Sequence, residues 1–211
     1  MKSIMSSRRT FLAGLANSAL VTTAALTGTA QASPTNGGKN ARDLILPTDP
    51  VMGNPKGDVT LVDFYDIRCP PCRQMEPRIT RLMAADAGLR YVPVDYPLFG
   101  GPSEMAARAL LAAQAQNHYA EFKKWLFANF ERPNMDLLQR AATALNLDWG
   151  KMQSDMHSPA MDDRIKTNMA RGAALDVKVL PVMLLGPIVI PGALHYADML
   201  DLVQSARKQQ V

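Results

Sequence analysis

Cys69 and Cys72 are the two cysteines of this 211-residue chain, and they lie in the stretch Cys69-Pro70-Pro71-Cys72. A bridge between them closes a very small loop. Loop-closure stabilisation grows with loop length, so such a bridge contributes little to folding. A cysteine pair of little structural use, placed where an apolar run meets a helical pattern, reads as a working redox pair. A sulfur at a helix N-terminus meets unsatisfied N–H groups and the positive end of the helix dipole, which favour its thiolate. Cys69 is therefore the candidate nucleophile and Cys72 the candidate resolving thiol. Arg68 adds a positive charge one residue earlier. A structural zinc site needs four ligands. The pair supplies two, and His118, His157 and His195 show no paired spacing, so no metal site is expected.

The elements that must hold this pair are readable around it. Val59 to Tyr65 is a nearly continuous run of apolar residues and β-formers, as in a strand buried on both faces. After the cysteines, Cys72, Met75, Ile79, Leu82 and Met83 repeat at helical spacing, with Pro70 and Pro71 in the first turn. Pro77 predicts a kink and Gly88 an end to this helix. Leu89 to Val94 is a second strand. Pro97 to Pro102 reads as a loop, with Ser103 as the cap of a helical block that runs to about Leu175. Within it, Phe122, Trp125, Leu126 and Phe127 mark one helix, and Asn134 caps the next. Val182 to Leu185 and Ile188 to Ile190 flank Gly186-Pro187 as a hairpin. Tyr196 to Lys208 is an amphipathic helix. This order predicts an α/β fold, with a mixed central sheet, helices on both sides and a helical subdomain inserted in the middle.

The first residues read differently. Lys2, Arg8 and Arg9 precede a weakly apolar run from Phe11 to Leu26, and Ala30-Gln31-Ala32 offers a cleavage site. Residues 1–32 are expected to be a cleavable export signal, removed after Ala32. Ser7-Arg8-Arg9-Thr10-Phe11-Leu12 resembles the twin-arginine motif. The signal holds three of the 23 basic residues, leaving 20 against 19 acidic ones. No basic patch with interleaved aromatics is present, so no nucleic-acid partner is expected. An exported chain with a working cysteine pair belongs in an oxidising compartment, here the periplasm. Residues 33–55, rich in Pro, Gly, Asn and Asp, read as a flexible arm. The fold then divides as 56–102, the insertion 103–175, and 176–211. Met152, Met156, His157 and Met161 invite a copper reading, since thioethers suit Cu(I), but methionine is also a common filler of helical cores.

The stretch from Leu61 to Pro77 resembles the active-site segment of the thioredoxin superfamily. With the inserted helices, Gly53 to Val59 and Asp95 to Ser103, it resembles the DsbA-like thiol-disulfide oxidoreductases and their ScsC- and Com1-type relatives. The resemblance covers about Met52 to Lys208 and implies a thioredoxin fold. It also implies roles. Asp63 matches a buried acid that exchanges a proton with Cys72. Pro181 matches a cis-proline facing the cysteines. Leu180, Pro70 and Pro71 fall on the substrate-facing surface. The Pro70-Pro71 pair combines the first proline of the DsbA type with the second of thioredoxin, and Leu180 stands where relatives more often carry Thr or Val. No cofactor is implied beyond the Cys69–Cys72 disulfide.

These readings lead to a periplasmic enzyme that donates disulfides to exported proteins and is reoxidised by a membrane partner. The same chemistry run backwards, as a reductase or isomerase kept reduced by a membrane electron donor, has the same signature. A binding or copper-tolerance role on the same fold is the remaining alternative. The polar arm favours a monomer.

Overall fold

The computed structural model describes Ser33–Pro34 and residues 41–208. The expected export signal lies outside the described residues. Strands β1 (Ser33–Pro34), β2 (Met52–Gly53), β3 (Val59–Tyr65), β4 (Leu89–Asp95), β5 (Val182–Leu185) and β6 (Ile188–Pro191) form one sheet in the order β1-β6-β5-β3-β4-β2. β3 and β4 are parallel, joined through helix α1 (Pro70–Ala85), and the other pairings are antiparallel. The sheet is therefore mixed. Between β4 and β5 lie α2 (Gly101–Gln114), α3 (Tyr119–Ala128), α4 (Met135–Ala144), α5 (Trp149–Met156) and α6 (Pro159–Ala173), and α7 (Tyr196–Lys208) closes the chain.

All seven residues of β3 are buried, as a central strand covered on both faces requires. Alternation sorts them between two cores. Val59 and Leu61 join Met75, Ile79 and Leu82 of α1 and Met199 and Val203 of α7. Val62 and Phe64 face the inserted helices, among Leu110, Phe122 and Leu138. Burying each such aliphatic or aromatic side chain is worth about 1.5–3 kcal/mol. At the junction of α6 with β4, Gly172 lies against the Tyr96 ring, where a Cβ would come within 2.2 Å of it. The insertion docks that closely only because the side chain is missing.

Two segments differ from the sequence reading. α2 starts at Gly101, ahead of Ser103, because Gly100 takes a left-handed φ of 82° and Pro102 fits the first turn, where an N–H is not needed. Ser103 is buried inside the helix. Residues 41–55, read as part of a loose arm, are tied down. Leu44 and Ile45 pack on the core, Met52–Gly53 pairs with β4, and Asp49 is buried against Arg164 and Arg171 of α6. Pro77 lies within α1, which continues to Ala85.

Candidate active site

Cys69 caps α1 in an extended conformation, and Pro70 and Pro71 occupy the first two helical positions. Neither proline has an N–H, so the first free donor of the helix is that of Cys72. It points at the Cys69 sulfur, 3.3 Å away. The Cys69 thiol itself lies 3.5 Å from the Leu180 carbonyl, and the Leu180–Pro181 peptide is cis. Both cysteines are free thiols and both are buried, while Pro70 and Pro71 are exposed.

The two sulfurs are driven apart chemically. The Cys72 thiol and then its backbone N–H hydrogen-bond to Cys69 and hold it below the ordinary thiol range, against burial and the nearby Asp66 and Asp63. Burial, the hydrogen bond to Cys69 and the Asp63 charge push Cys72 far above that range. The Cys69 environment thus favours the thiolate and the Cys72 environment the thiol.

Asp63 is the carboxyl group whose charge bears on Cys72. It is buried, and burial pushes its pKa up to about 6, tempered by the Lys123 charge and the Tyr91 hydrogen bond. The Tyr91 hydroxyl donates to Oδ2 at 2.8 Å, and Oδ1 has no hydrogen-bond partner. Pro181 immediately precedes β5, and its carbonyl accepts the Gly192 N–H at 2.8 Å.

Two expected contributions take another form. The Arg68 guanidinium donates to the Phe99 carbonyl at 2.8 Å, which directs it to the loop after β4. The causes that lower Cys69 are led by Cys72 instead. The Leu180 side chain is buried in the core facing the insertion, so what it offers Cys69 is its carbonyl. The exposed apolar side chains at this edge are Val179 and Phe99, at 59% and 45% exposure. Phe99 is fixed there by its N–H on Asp66 Oδ2 and its carbonyl on Arg68. Met152, Met156 and Met161 are buried core residues, while His157 is exposed with Nδ1 on the Gln153 carbonyl.

A family profile described as Thioredoxin matches residues 46–205. The chain belongs to the thioredoxin family. It is similar to a thioredoxin-like oxidoreductase of Silicibacter pomeroyi DSS-3, at 35% identity over 79% of this chain and 98% of that one, with a TM-score of 0.76. Its fold is also that of the DsbA-like members. The thiol-disulfide exchange protein alpha-DsbA2 of Wolbachia pipientis superposes at TM-score 0.73, with 21% identity, covering 78% of this chain and 90% of that one. The catalytic domain of Proteus mirabilis ScsC superposes at 0.72, with 17% identity, covering 79% and 94%. Among curated proteins, the chain is 32% identical over 120 residues to the Na(+)/H(+) antiporter NhaA 3 of Salinispora tropica, covering 54% of this chain and 18% of that protein. The chain spans under a quarter of the length of such relatives.

Within this thioredoxin fold, four charged groups around the cysteines and Asp63 escaped the sequence reading. Asp66 accepts the Arg68 N–H at 2.8 Å. Asp95 accepts from the Tyr65 and Tyr119 hydroxyls at 2.7 and 3.0 Å, and burial pushes its pKa up to about 7. Lys123 and Glu76 form a buried ion pair. Lys123 did leave a signal. Tyr119, Phe122, Leu126 and Phe127 make an apolar helical stripe, and Lys123 interrupts it on the buried side.

Proposed function

We propose that this chain is an exported thiol-disulfide oxidoreductase that donates the Cys69–Cys72 disulfide to substrate proteins. The observation that carries the reading is the split environment of the pair, with Cys69 Sγ receiving the Cys72 N–H at 3.3 Å while burial keeps Cys72 protonated. A substrate thiolate attacks Cys69 Sγ. The Cys69–Cys72 bond breaks, its electron pair goes to Cys72, and Cys72 takes a proton from Asp63. A second substrate thiol, losing its proton to solvent, then attacks the mixed disulfide. The substrate leaves oxidised and Cys69 leaves as a thiolate. Stabilising that thiolate stabilises the reduced protein, which makes the disulfide an oxidant and favours donation over the reverse direction.

Pro70, Pro71, Phe99 and Val179 give the site an exposed apolar rim suited to unfolded polypeptide segments. Leu180 and Pro181 supply the backbone beside the sulfur against which such a segment would lie. We further propose a periplasmic location, reached through the twin-arginine-like signal and cleavage after Ala32. There the protein would act as a monomer and be reoxidised by a membrane partner, with no cofactor beyond its own disulfide.

The test is the reduction potential from equilibration with glutathione buffers, together with oxidation of a reduced, unfolded ribonuclease. A potential near about −120 mV and substrate oxidation lost in Cys69→Ser are expected. A potential near about −270 mV would instead make the protein a reductant.

A further inference from the structure

Two guanidinium groups stand next to the cysteine pair with no acid paired to them. Arg68 precedes Cys69. Arg73 follows Cys72, and its backbone N–H donates to the Cys69 carbonyl at 3.0 Å. Arg68 is partly exposed and Arg73 is exposed. Arg68 Nη1 donates to the Phe99 carbonyl at 2.8 Å, in the loop after β4. Arg73 Nε donates to the Phe127 carbonyl at 3.0 Å, near the end of α3, and its guanidinium lies over the Phe130 ring, 4.7 Å from the centroid. Both charged heads are thus held by neutral groups, a carbonyl in each case and a ring in one. A guanidinium carries several more N–H donors than one carbonyl uses, so these contacts fix where the charge stands and leave most of its donors to spare.

The acids of the same segments are committed elsewhere. Both Asp66 oxygens accept backbone N–H groups, that of Arg68 at 2.8 Å and that of Phe99 at 3.2 Å, and the Arg68 charge is a minor influence on a carboxyl that burial pushes up. Glu76 pairs with Lys123, Glu131 with Arg140 and Asp176 with Lys178. Among the described residues, no ion pair includes Arg68 or Arg73. A merely solvated arginine needs no fixed place. These two are tied down, unpaired, beside the exposed rim of Pro70, Pro71 and Phe99.

We propose that Arg68 and Arg73 are specificity-determining residues that select substrate segments carrying Asp or Glu beside the reactive cysteine. The proposal rests on the exchange reading of Cys69 and Cys72 and names a substrate class for it. A segment lying against the Leu180 and Pro181 backbone brings its cysteine to Cys69. Carboxylates flanking that cysteine then meet the two guanidiniums, whose planar forks suit them. The exchange steps are those given above, with no further bond made or broken. This role is towards the substrate and is separate from the Cys69 thiolate, whose leading stabilisation comes from Cys72. Charges at the rim of an interface act chiefly on the rate of encounter and on its salt dependence.

The test uses two reduced dithiol peptides, identical except that Glu or Lys flanks each cysteine, and the oxidised protein. Each oxidation rate is divided by the rate with hydroxyethyl disulfide, a neutral reference that cancels the difference in thiol reactivity. The Glu peptide should lead by at least about five-fold at about 0.01 M salt, where charges act over about 30 Å. The lead should vanish at about 1 M, where they act over about 3 Å. In the double variant Arg68→Gln, Arg73→Gln the lead should be lost through the Glu peptide alone, whereas a damaged fold would slow both peptides together. Equal normalised rates in the wild type at low salt, or an unchanged lead in the folded double variant, overturn the proposal and leave the exchange function standing. Should the double variant fail to fold, the salt dependence of the wild type decides alone. Versions of the peptides with Ser in place of Cys, titrated by fluorescence anisotropy, give a readout free of redox chemistry. If neither dithiol peptide is oxidised while the Glu version still binds more tightly, the function proposed above falls and the preference for acidic segments stands. If that difference is missing too, both fall.

Discussion

Two buried charge clusters in this molecule are built on opposite plans. At Asp49, one carboxylate meets two arginines. Its Oδ1 accepts from Arg164 at 2.5 Å and Arg171 at 2.9 Å, and its Oδ2 accepts from Arg171 at 2.7 Å and from the Leu46 N–H at 2.8 Å. At Asp63, one ammonium serves several acids, and the carboxylate receives a single hydrogen bond from Tyr91. The saturated cluster staples the segment before β2 to α6. The unsaturated one has its charge felt at Cys72, and burial pushes its own pKa up to about 6. A fully bonded buried carboxylate has nothing left to exchange, whereas an under-bonded one holds its proton near neutral pH, at a cost in stability. Function and packing are separated by how many partners each acid is given.

The sharpest way to break this contrast is to remove the two acids separately. Asp49→Leu would strand Arg164 and Arg171 in the interior and should cost about 3–5 kcal/mol. It should leave exchange per folded molecule unchanged, as measured by urea unfolding beside a glutathione exchange assay. Asp63→Asn should do the opposite. The folded Asp63 titrates at about 6, above its ordinary 3.8. The native state therefore binds the extra proton between those values, and this group lowers stability as pH rises through the window. Replacing it should stabilise the protein by up to about 3 kcal/mol at pH 7.5, with the gain fading towards pH 4. Exchange should slow at the same time. Urea unfolding at the two pH values checks the sign, and a variant that destabilises at pH 7.5 would contradict it.

The smallest effect is expected at Arg68. Arg68→Ala removes a hydrogen bond to the Phe99 carbonyl at a part-exposed position, worth about 1 kcal/mol or less. The ultraviolet titration of the Cys69 thiolate should stay in place, because Cys72 supplies the leading stabilisation. A clear upward move of that titration would restore the electrostatic role that the sequence suggested for Arg68.

What was legible in the sequence was local. The β3 span, the prolines at the start of α1, the Asn134 cap on the Leu137 N–H and the hairpin around Gly186 follow from neighbouring residues alone. So did the cysteine pair, whereas Asp63 was singled out only by the resemblance to the thioredoxin superfamily. The rest depends on chain segments meeting from far apart. Nothing near Asp63 announces that Lys123 of α3 will close its cluster, and nothing near Asp49 announces Arg171. The polarity of residues 41–55 looked like an untethered arm, but one aspartate with two arginine partners is enough to fix it. Leu180 was assigned by position in the chain. Its buried side chain and Cys69-facing carbonyl emerge only once β5 is paired with β3.

The most direct test of the central claim is the pH dependence of alkylation at each cysteine of the reduced protein, read by mass spectrometry after brief iodoacetamide pulses. Cys69 should react with a midpoint below that of a free thiol, about 8.5, while Cys72 stays unmodified across the same range. Equal labelling of the two sulfurs, with a shared midpoint near 8.5, would contradict the division of labour on which the whole account stands.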